Sequence, residues 1–380
     1  MASSAKPTRS PIRLLITARD PATAVSFQKL IPRLQANLHF DILIVAQAPG
    51  SDILRQEGLA VEEFFPQDSF ERKQKQLEQV FDKVAPDAVL CGISGPDLGV
   101  DEATLAVAKQ RGIPSYALQS FWGDINQLSG ATPDCAFVLD DEATVLTKER
   151  YPQIRCIPIG SIKHADFAAC DALQIRASKR ANYVGEGEVL IGFYGQPILE
   201  IDGYFSSIEA MVRQLMSWPR PFKLLYRPHP KESDTLFNQT LKLFRDSLGD
   251  RVLVDDQKDI IHSLSVCDLV VSVFSTCGFD NLYLNEISPR PFNTSVYLWF
   301  EPAMIEWWRQ YSGLTQMPLV EEGLLLSPES EESILEVFEK GLDPQVRQIL
   351  WQRAKQHLPD ASLAVDTLIN TLVDDFNADV

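Results

Sequence analysis

The chain predicts an α/β protein: two Rossmann-like domains whose parallel sheets face a central cleft. Three observations carry that expectation. Strand-length apolar runs alternate with amphipathic stretches through both halves, the βα pattern of a parallel sheet. A polar and basic stretch with Arg176, Lys179, Arg180, Gly185 and Gly187 interrupts the alternation near its middle. The 380 residues, 45% of them apolar, also exceed what one compact core usually holds.

The first half reads as strands at Arg13–Thr17, Phe40–Ala46, Ala60–Phe65, Ala88–Gly92, Ser115–Leu118, Ala136–Leu139 and Arg155–Ile159. Helical periodicity falls at Ala22–Gln35, Ser69–Val84, Glu102–Arg111 and Glu142–Arg150, with Asp68 or Ser69 placed as an N-cap. The second half repeats the pattern with strands at Val189–Tyr194, Lys223–Tyr226, Val252–Val254, Leu269–Val273, Ser295–Leu298 and Leu324–Leu326. Its helices are expected at Ser206–Met216, Asp234–Ser247, Lys258–Ser265, Gly278–Leu284, Pro302–Gln310, Ser330–Lys340 and Pro344–His357, and a lone amphipathic segment, Ser362–Phe376, follows the last sheet element. The expected division is residues 1–165 as a first domain, 166–360 as a second, and 361–380 as a helix free to cross back, with a ligand site expected at the carboxyl ends of the strands.

Composition removes several classes. A formal charge of −17 argues against a nucleic-acid partner or an electrostatically held anionic membrane. The longest apolar runs, such as Leu269–Phe274, fall far short of the ~20 residues that span a bilayer. Met1–Pro11 reads as a short disordered leader, since Leu14-Leu15-Ile16 is too short for a signal-peptide core. The six cysteines form no C-x-x-C pair and read as reduced thiols of a cytoplasmic protein. There is no phosphate-loop, H-E-x-x-H, G-x-S-x-G or strand-to-helix G-x-G-x-x-G motif, and no D-x-D to bridge a metal and a diphosphate. No metal and no cofactor are expected. The acidic pairs Asp140-Asp141 and Asp255-Asp256 at strand ends read as caps or loop residues.

Two motifs carry chemistry. Tyr226-Arg227-Pro228-His229-Pro230-Lys231 follows an apolar strand, so Arg227 and His229 emerge at its carboxyl end on a loop stiffened by two prolines. A guanidinium and an imidazole there suit a phosphate leaving group; the plain alternative is a solvated Pro-rich turn. The run Leu269–Phe274 then leads into Ser275-Thr276 at a helix start, with Asp280 one turn in. Hydroxyls beside free helix N–H groups make an anion site by geometry, and Asp280 could take a ribose; as an alternative the same residues are only caps. Trp299, Trp307 and Trp308 with Phe300 and Tyr311 form an aromatic stripe that reads as core or interface in preference to a sugar-stacking surface.

The R-P-H-P loop, the later apolar strand, its S-[ST] pair and the following acid together resemble the C-terminal domain of GT-B glycosyltransferases. The resemblance is to the groups with an HP motif and an S/T motif: bacterial sialyltransferases, CDP-glycerol glycerophosphotransferases and capsule Kdo transferases. The first half resembles the superfamily that includes UDP-N-acetylglucosamine 2-epimerase, through Ile16-Thr17-Ala18-Arg19-Asp20-Pro21-Ala22 and Ile157-Pro158-Ile159-Gly160-Ser161. It implies a GT-B-like fold and donor-binding roles for Arg19, Arg227, His229, Ser275, Thr276 and Asp280, with a nucleotide-sugar as substrate and a glycan or small molecule as acceptor. Polysaccharide biosynthesis is the implied setting, and a homo-oligomer is compatible with it.

Departures from those families shape the expected mechanism. The first half lacks the [DE]-[DE]-G tripeptide that supplies the sialyltransferase base; Glu321-Glu322-Gly323 falls in the second half. The epimerase glutamate that follows an I-P-V-x-H-V strand is also missing, for this chain reads Ile113-Pro114-Ser115-Tyr116-Ala117-Leu118-Gln119-Ser120. Candidate bases on first-half loops are Asp20, Asp97, Asp101 and Asp124, with Asp97 in Gly95-Pro96-Asp97-Leu98-Gly99 first and Asp124 second; His164 is a linker candidate. The expected function is a metal-independent glycosyltransferase with His229 aiding the leaving group. The rival is a GT-B-derived binding or scaffold protein without chemistry.

Overall fold

The computed structural model describes residues 10–65, 67–93, 97–126 and 128–378. Most of the expected leader, and Gly95-Pro96 of the Asp97 loop, lie outside them. The chain forms two compact units, Met1–Asp166 with Leu358–Val380, and Phe167–His357.

The first unit is built on a seven-stranded, all-parallel sheet of β1 (Ile12–Ala18), β2 (Phe40–Ala46), β3 (Glu62–Glu63), β4 (Ala88–Gly92), β5 (Ser115–Leu118), β6 (Cys135–Val138) and β7 (Arg155–Pro158), in the order β3-β2-β1-β4-β5-β6-β7. Helices α1 (Pro21–Gln35), α2 (Gly50–Gln56), α3 (Phe70–Val84), α4 (Val100–Arg111) and α5 (Asp141–Arg150) connect the strands. β4, β5 and β6 are buried at every residue, which is why they read as continuous apolar runs without alternation. Side chains mark the helix starts: Asp20 accepts the Ala22 N–H, Ser69 that of Arg72 and Asp140 that of Ala143.

The second unit holds α6 (Ala172–Lys179), β8 (Val189–Tyr194), α7 (Tyr204–Ser217), β9 (Phe222–Arg227), α8 (Asp234–Leu248), β10 (Val252–Val254), α9 (Ile260–Val266), β11 (Leu269–Ser272), α10 (Cys277–Ile287), β12 (Thr294–Tyr297), α11 (Pro302–Ser312), α12 (Pro318–Glu321), α13 (Ile334–Leu342) and α14 (Pro344–His357). Its parallel sheet runs β10-β9-β8-β11-β12. In both sheets the strand order reverses beside the first strand, between β1 and β4 and between β8 and β11. Such a reversal opens a crevice at the carboxyl ends of the strands.

Several expected elements differ. The strand at Ala60–Phe65 shrinks to Glu62–Glu63, which pair with Val45 and Ala46 at the end of β2. Leu324–Leu326 contributes one bridge, Val296 to Leu326. The stretch read as a linker holds a 3-10 helix, Ile162–Ala169, and α6. All six cysteines are free thiols. No helix among the described residues is long and apolar enough to cross a membrane.

The last helix, α15 (Ala361–Ala378), belongs to the first unit, where Ala364, Val365, Leu368, Ile369 and Leu372 join the core that contains Phe27 and Ile31 of α1. Asp375 receives hydrogen bonds from the Tyr116 hydroxyl and from Arg155, which ties α15 to β5 and β7. Leu368 is fully buried, so Leu368→Ala should cost about 2–5 kcal/mol in urea unfolding. A loss no larger than the roughly 0.5 kcal/mol of an ordinary surface change would contradict this packing.

Candidate active site

In the second unit the R-P-H-P loop follows β9 and is fixed by one carboxylate. Glu232 accepts the His229 N–H at 2.8 Å through one oxygen and the Tyr226 hydroxyl through the other. Gly195, just past β8, is glycine because a methyl group there would lie 2.5 Å from Glu232 Oε2. The Lys231 N–H donates to His229 Nδ1 at 3.0 Å, so the neutral imidazole carries its proton on Nε2. Burial, then the charge of Lys231, holds His229 below the ordinary imidazole value. At neutral pH its Nε2–H is therefore a neutral donor.

Arg227 has a different occupation from the one expected. Its Nη1 donates to Asp255 Oδ2 and to the Gln257 carbonyl, both at 2.7 Å. The partner carboxylate is fully buried, and this pair braces the β9 loop against the β10 loop. Arg227 thus acts as a bracket, with its charge matched by Asp255.

The start of α10 is held from below. Ser272 Oγ accepts the Ser275 N–H at 3.0 Å, and Ser275 Oγ accepts that of Cys277 at 3.3 Å. Tyr297 donates its hydroxyl to the Ser275 carbonyl at 2.7 Å and Ser295 donates to the Gly278 carbonyl at 3.1 Å. Gly278 has no room for a side chain, since a methyl group would sit 2.5 Å from the Tyr297 ring. Further along α10, Asn281, Asn285 and Asn293 form a closed amide network, with Asn281 Nδ2 donating to Asn293 Oδ1 and Asn293 Nδ2 returning to Asn281 Oδ1, each at 2.9 Å. Thr276 is exposed at the N-cap position. Asp280 is only 3% exposed, among the residues under the helix start, so the ribose contact expected of it has no open carboxylate here.

Two participants escaped sequence reading. One is Glu232, next to Lys231 in the recognised loop. The other is Gln196, the second residue after β8, whose Oε1 accepts the Phe274 N–H at 2.9 Å across the β8–β11 reversal. A polar residue two places after a buried strand is the signal that could have found it. The aromatic stripe is core only in part: Phe274 meets half-buried Trp299 and buried Trp308 edge-on, while Trp307 stacks at 5.0 Å on Tyr311, which is exposed.

In the first unit, Arg19 leaves β1 and is only 13% exposed at its side chain. Its Nη2 donates to the Asp97 carbonyl at 2.7 Å and lies 3.8 Å from Glu102 Oε2. Gly99 makes room for it, since a methyl group there would be 2.7 Å from Arg19 Cδ. These contacts give Arg19 a scaffold role inside the first unit where a phosphate contact was expected. Asp97 serves through its carbonyl, which also accepts Asn126 Nδ2, while the residue itself is exposed. Asp101, expected on a loop, is buried in the first turn of α4, where it accepts Thr17 Oγ1 at 2.8 Å and the Gly92 N–H at 3.1 Å. Asp20 caps α1, and His164 is buried with Nδ1 2.7 Å from Ser161 Oγ.

Asp124 stands apart from these. Burial above all, then the charges of Asp20 and Glu102, pushes its carboxyl up to about 6 against the opposing pull of Arg150. That value suits a general base working near neutrality. Asp140 is raised as far, yet its oxygens are taken by Trp122 Nε1 and the Ala143 N–H. Gln119, the residue after β5, donates to Thr147 Oγ1 and to the Asp124 carbonyl. Among the described residues no group of three or more His, Cys, Asp and Glu is arranged to hold a metal.

No family model and no curated protein matches this sequence. Solved structures do match. A Staphylococcus aureus MnaA–UDP structure is similar over 96% of this chain and 97% of its own, with 15% identity and a TM-score of 0.64. UDP-GlcNAc 2-epimerase from Neisseria meningitidis, bound to UDP-GlcNAc, is similar over 96% and 100% at 14% identity and a TM-score of 0.65. Acinetobacter baumannii MurG is similar over 95% and 100% at 12% identity and a TM-score of 0.62. At such identities the likeness speaks for architecture: two parallel-sheet α/β units of the GT-B type, with the strand reversals and loop ends described above.

Proposed function

We propose that this chain is a GT-B-type glycosyltransferase that takes a sugar, or a related polyol phosphate, from a nucleotide-activated donor. What supports the reading is the second-unit crevice: the loop after β9 that carries His229 and the braced start of α10 after β11 both lie at the carboxyl end of the one parallel sheet. Charge developing on a leaving phosphate would be stabilised there by preorganised N–H and O–H dipoles, without a metal. Structures of the same fold with UDP and UDP-GlcNAc bound support a nucleotide-sugar ligand. Asp124 is the acceptor's base in this reading, ahead of Asp97. The branch is that of the HP- and S/T-motif transferases, and the setting cytoplasmic polysaccharide synthesis.

A second reading, UDP-GlcNAc 2-epimerase activity, is favoured by the near-complete mutual coverage with such enzymes. Against it stands Gln119, an amide already bonded to Thr147, directly after β5. Release of an epimerised sugar without any acceptor would select that reading.

Thermal shift against CMP, CDP, UDP and GDP tests the donor site. At a hundredfold excess over Kd one nucleotide should stabilise the protein by about 2.7 kcal/mol, and His229→Ala should lose that shift. No shift with any of the four would sink the site, whereas a shift without donor hydrolysis or transfer would favour a scaffold. Gly278→Ala should cost about 1–3 kcal/mol by overpacking against Tyr297 and weaken the same shift.

Asp124 makes a signed pH prediction. A base acts as the carboxylate, so turnover should rise about tenfold per pH unit up to pH 6 and level above it. Because burial raises the folded value above the unfolded one, the stability contributed by protonated Asp124 is lost as pH rises through the same window. Asp124→Asn should flatten both profiles, reduce turnover by about 10²–10⁴ and leave nucleotide binding intact. An unchanged acid limb in that variant would remove Asp124 from the mechanism.

A further inference from the structure

Gln196 is 8% exposed, and most of its hydrogen-bonding capacity is already assigned. Its backbone N–H donates to the Tyr204 hydroxyl at 2.8 Å and its Oε1 accepts the Phe274 N–H at 2.9 Å. A carboxamide has one acceptor end and one donor end. Pairing with a backbone N–H therefore fixes which is which, and the NH2 group faces the other way. Among the described residues that nitrogen has no hydrogen-bond partner. Phe274 is bonded in sequence to Ser275, so the amide is pinned to the segment that ends β11 and starts α10. The side chain is largely buried, yet that nitrogen still reaches solvent, so it is an open donor that an arriving acceptor can take.

We propose that Gln196 Nε2 donates to a phosphate oxygen of the bound nucleoside diphosphate, completing with His229 Nε2 and the α10 start a cradle of neutral donors. The proposal rests on the nucleotide reading above and adds the residue that distinguishes the nucleotide from its nucleoside. Full positive charge is not the cradle's means: Arg227 is matched by Asp255, and Glu232 in the same loop already carries a carboxylate bonded to Tyr226 and His229. A second carboxylate at position 196 would meet the phosphate directly.

The test is calorimetric titration of the unmodified protein, Gln196→Glu and Gln196→Met with whichever of CDP, UDP and GDP binds, and with the matching nucleoside. Gln196→Glu keeps the acceptor for the Phe274 N–H, so the loop geometry survives while the donor becomes an anion. Diphosphate affinity should fall about 100-fold in Gln196→Glu and about 10-fold in Gln196→Met, with nucleoside affinity unchanged in both. Diphosphate affinity within twofold of the unmodified protein in both variants would overturn the proposal, as would a parallel fall for the nucleoside, which marks a structural role. If the unmodified protein binds none of the three diphosphates, the nucleotide reading itself fails and takes this one with it.

Discussion

The second unit depends on where the first turn of α10 is held. A helix start can serve an anion only if its N–H groups stay pointed at one place, and packing alone leaves a helix free to slide. Here the Tyr297 hydroxyl and Ser295 reach from β12 to the Ser275 and Gly278 carbonyls, while the Asn281–Asn285–Asn293 amides lock the next turns. Every bond in that set is buried, so breaking one leaves a polar group unsolvated. Gly278 follows from the same constraint, because the Tyr297 ring occupies the space of a side chain.

With α10 fixed, the other loops divide their labour. Arg227 and Asp255 brace β9 against β10, and Glu232 sets the backbone of His229. In the proposed site the donors left for a phosphate are then an imidazole N–H, a carboxamide and the groups at the α10 start. This changes the meaning of the −17 charge. The R-P-H-P-K loop reads as a local basic exception in an acidic chain, yet the buried Asp255 cancels its arginine. Phosphate recognition in this account comes from preorganised dipoles, and Lys231 remains at the exposed margin.

Legibility followed the range of the interactions. Parallel strands buried at every residue, such as β4 and β8, announce themselves as apolar runs, and Ser69 and Asp140 mark helix starts through bonds three residues long. The hydroxyls after β11 and the histidine after β9 were visible for the same reason. Gln196 was not, since it acquires its role from Phe274, 78 residues away and brought close by the sheet; Glu232 was missed for another reason, because its bonds to His229 and Tyr226 are short-range but close a loop that no regular pattern announces. Residue type also misled where a side chain found a tertiary partner. Arg19 and Arg227 look like anion ligands until the Asp97 carbonyl and the Asp255 carboxylate are seen beside them. Asp97 and Asp124 are equivalent as loop aspartates in sequence, and only burial separates an exposed turn residue from a carboxyl raised to about 6.

The central claim is that the α10 start and His229 hold phosphate. A crystal structure of the protein with a bound nucleoside diphosphate tests it most directly. The account predicts phosphate oxygens within hydrogen-bond reach, about 2.7–3.2 Å, of His229 Nε2 and of a backbone N–H or hydroxyl at Ser275–Cys277. A nucleotide whose phosphates lie elsewhere in the second unit, or that contacts Arg227 after expelling Asp255, would contradict it.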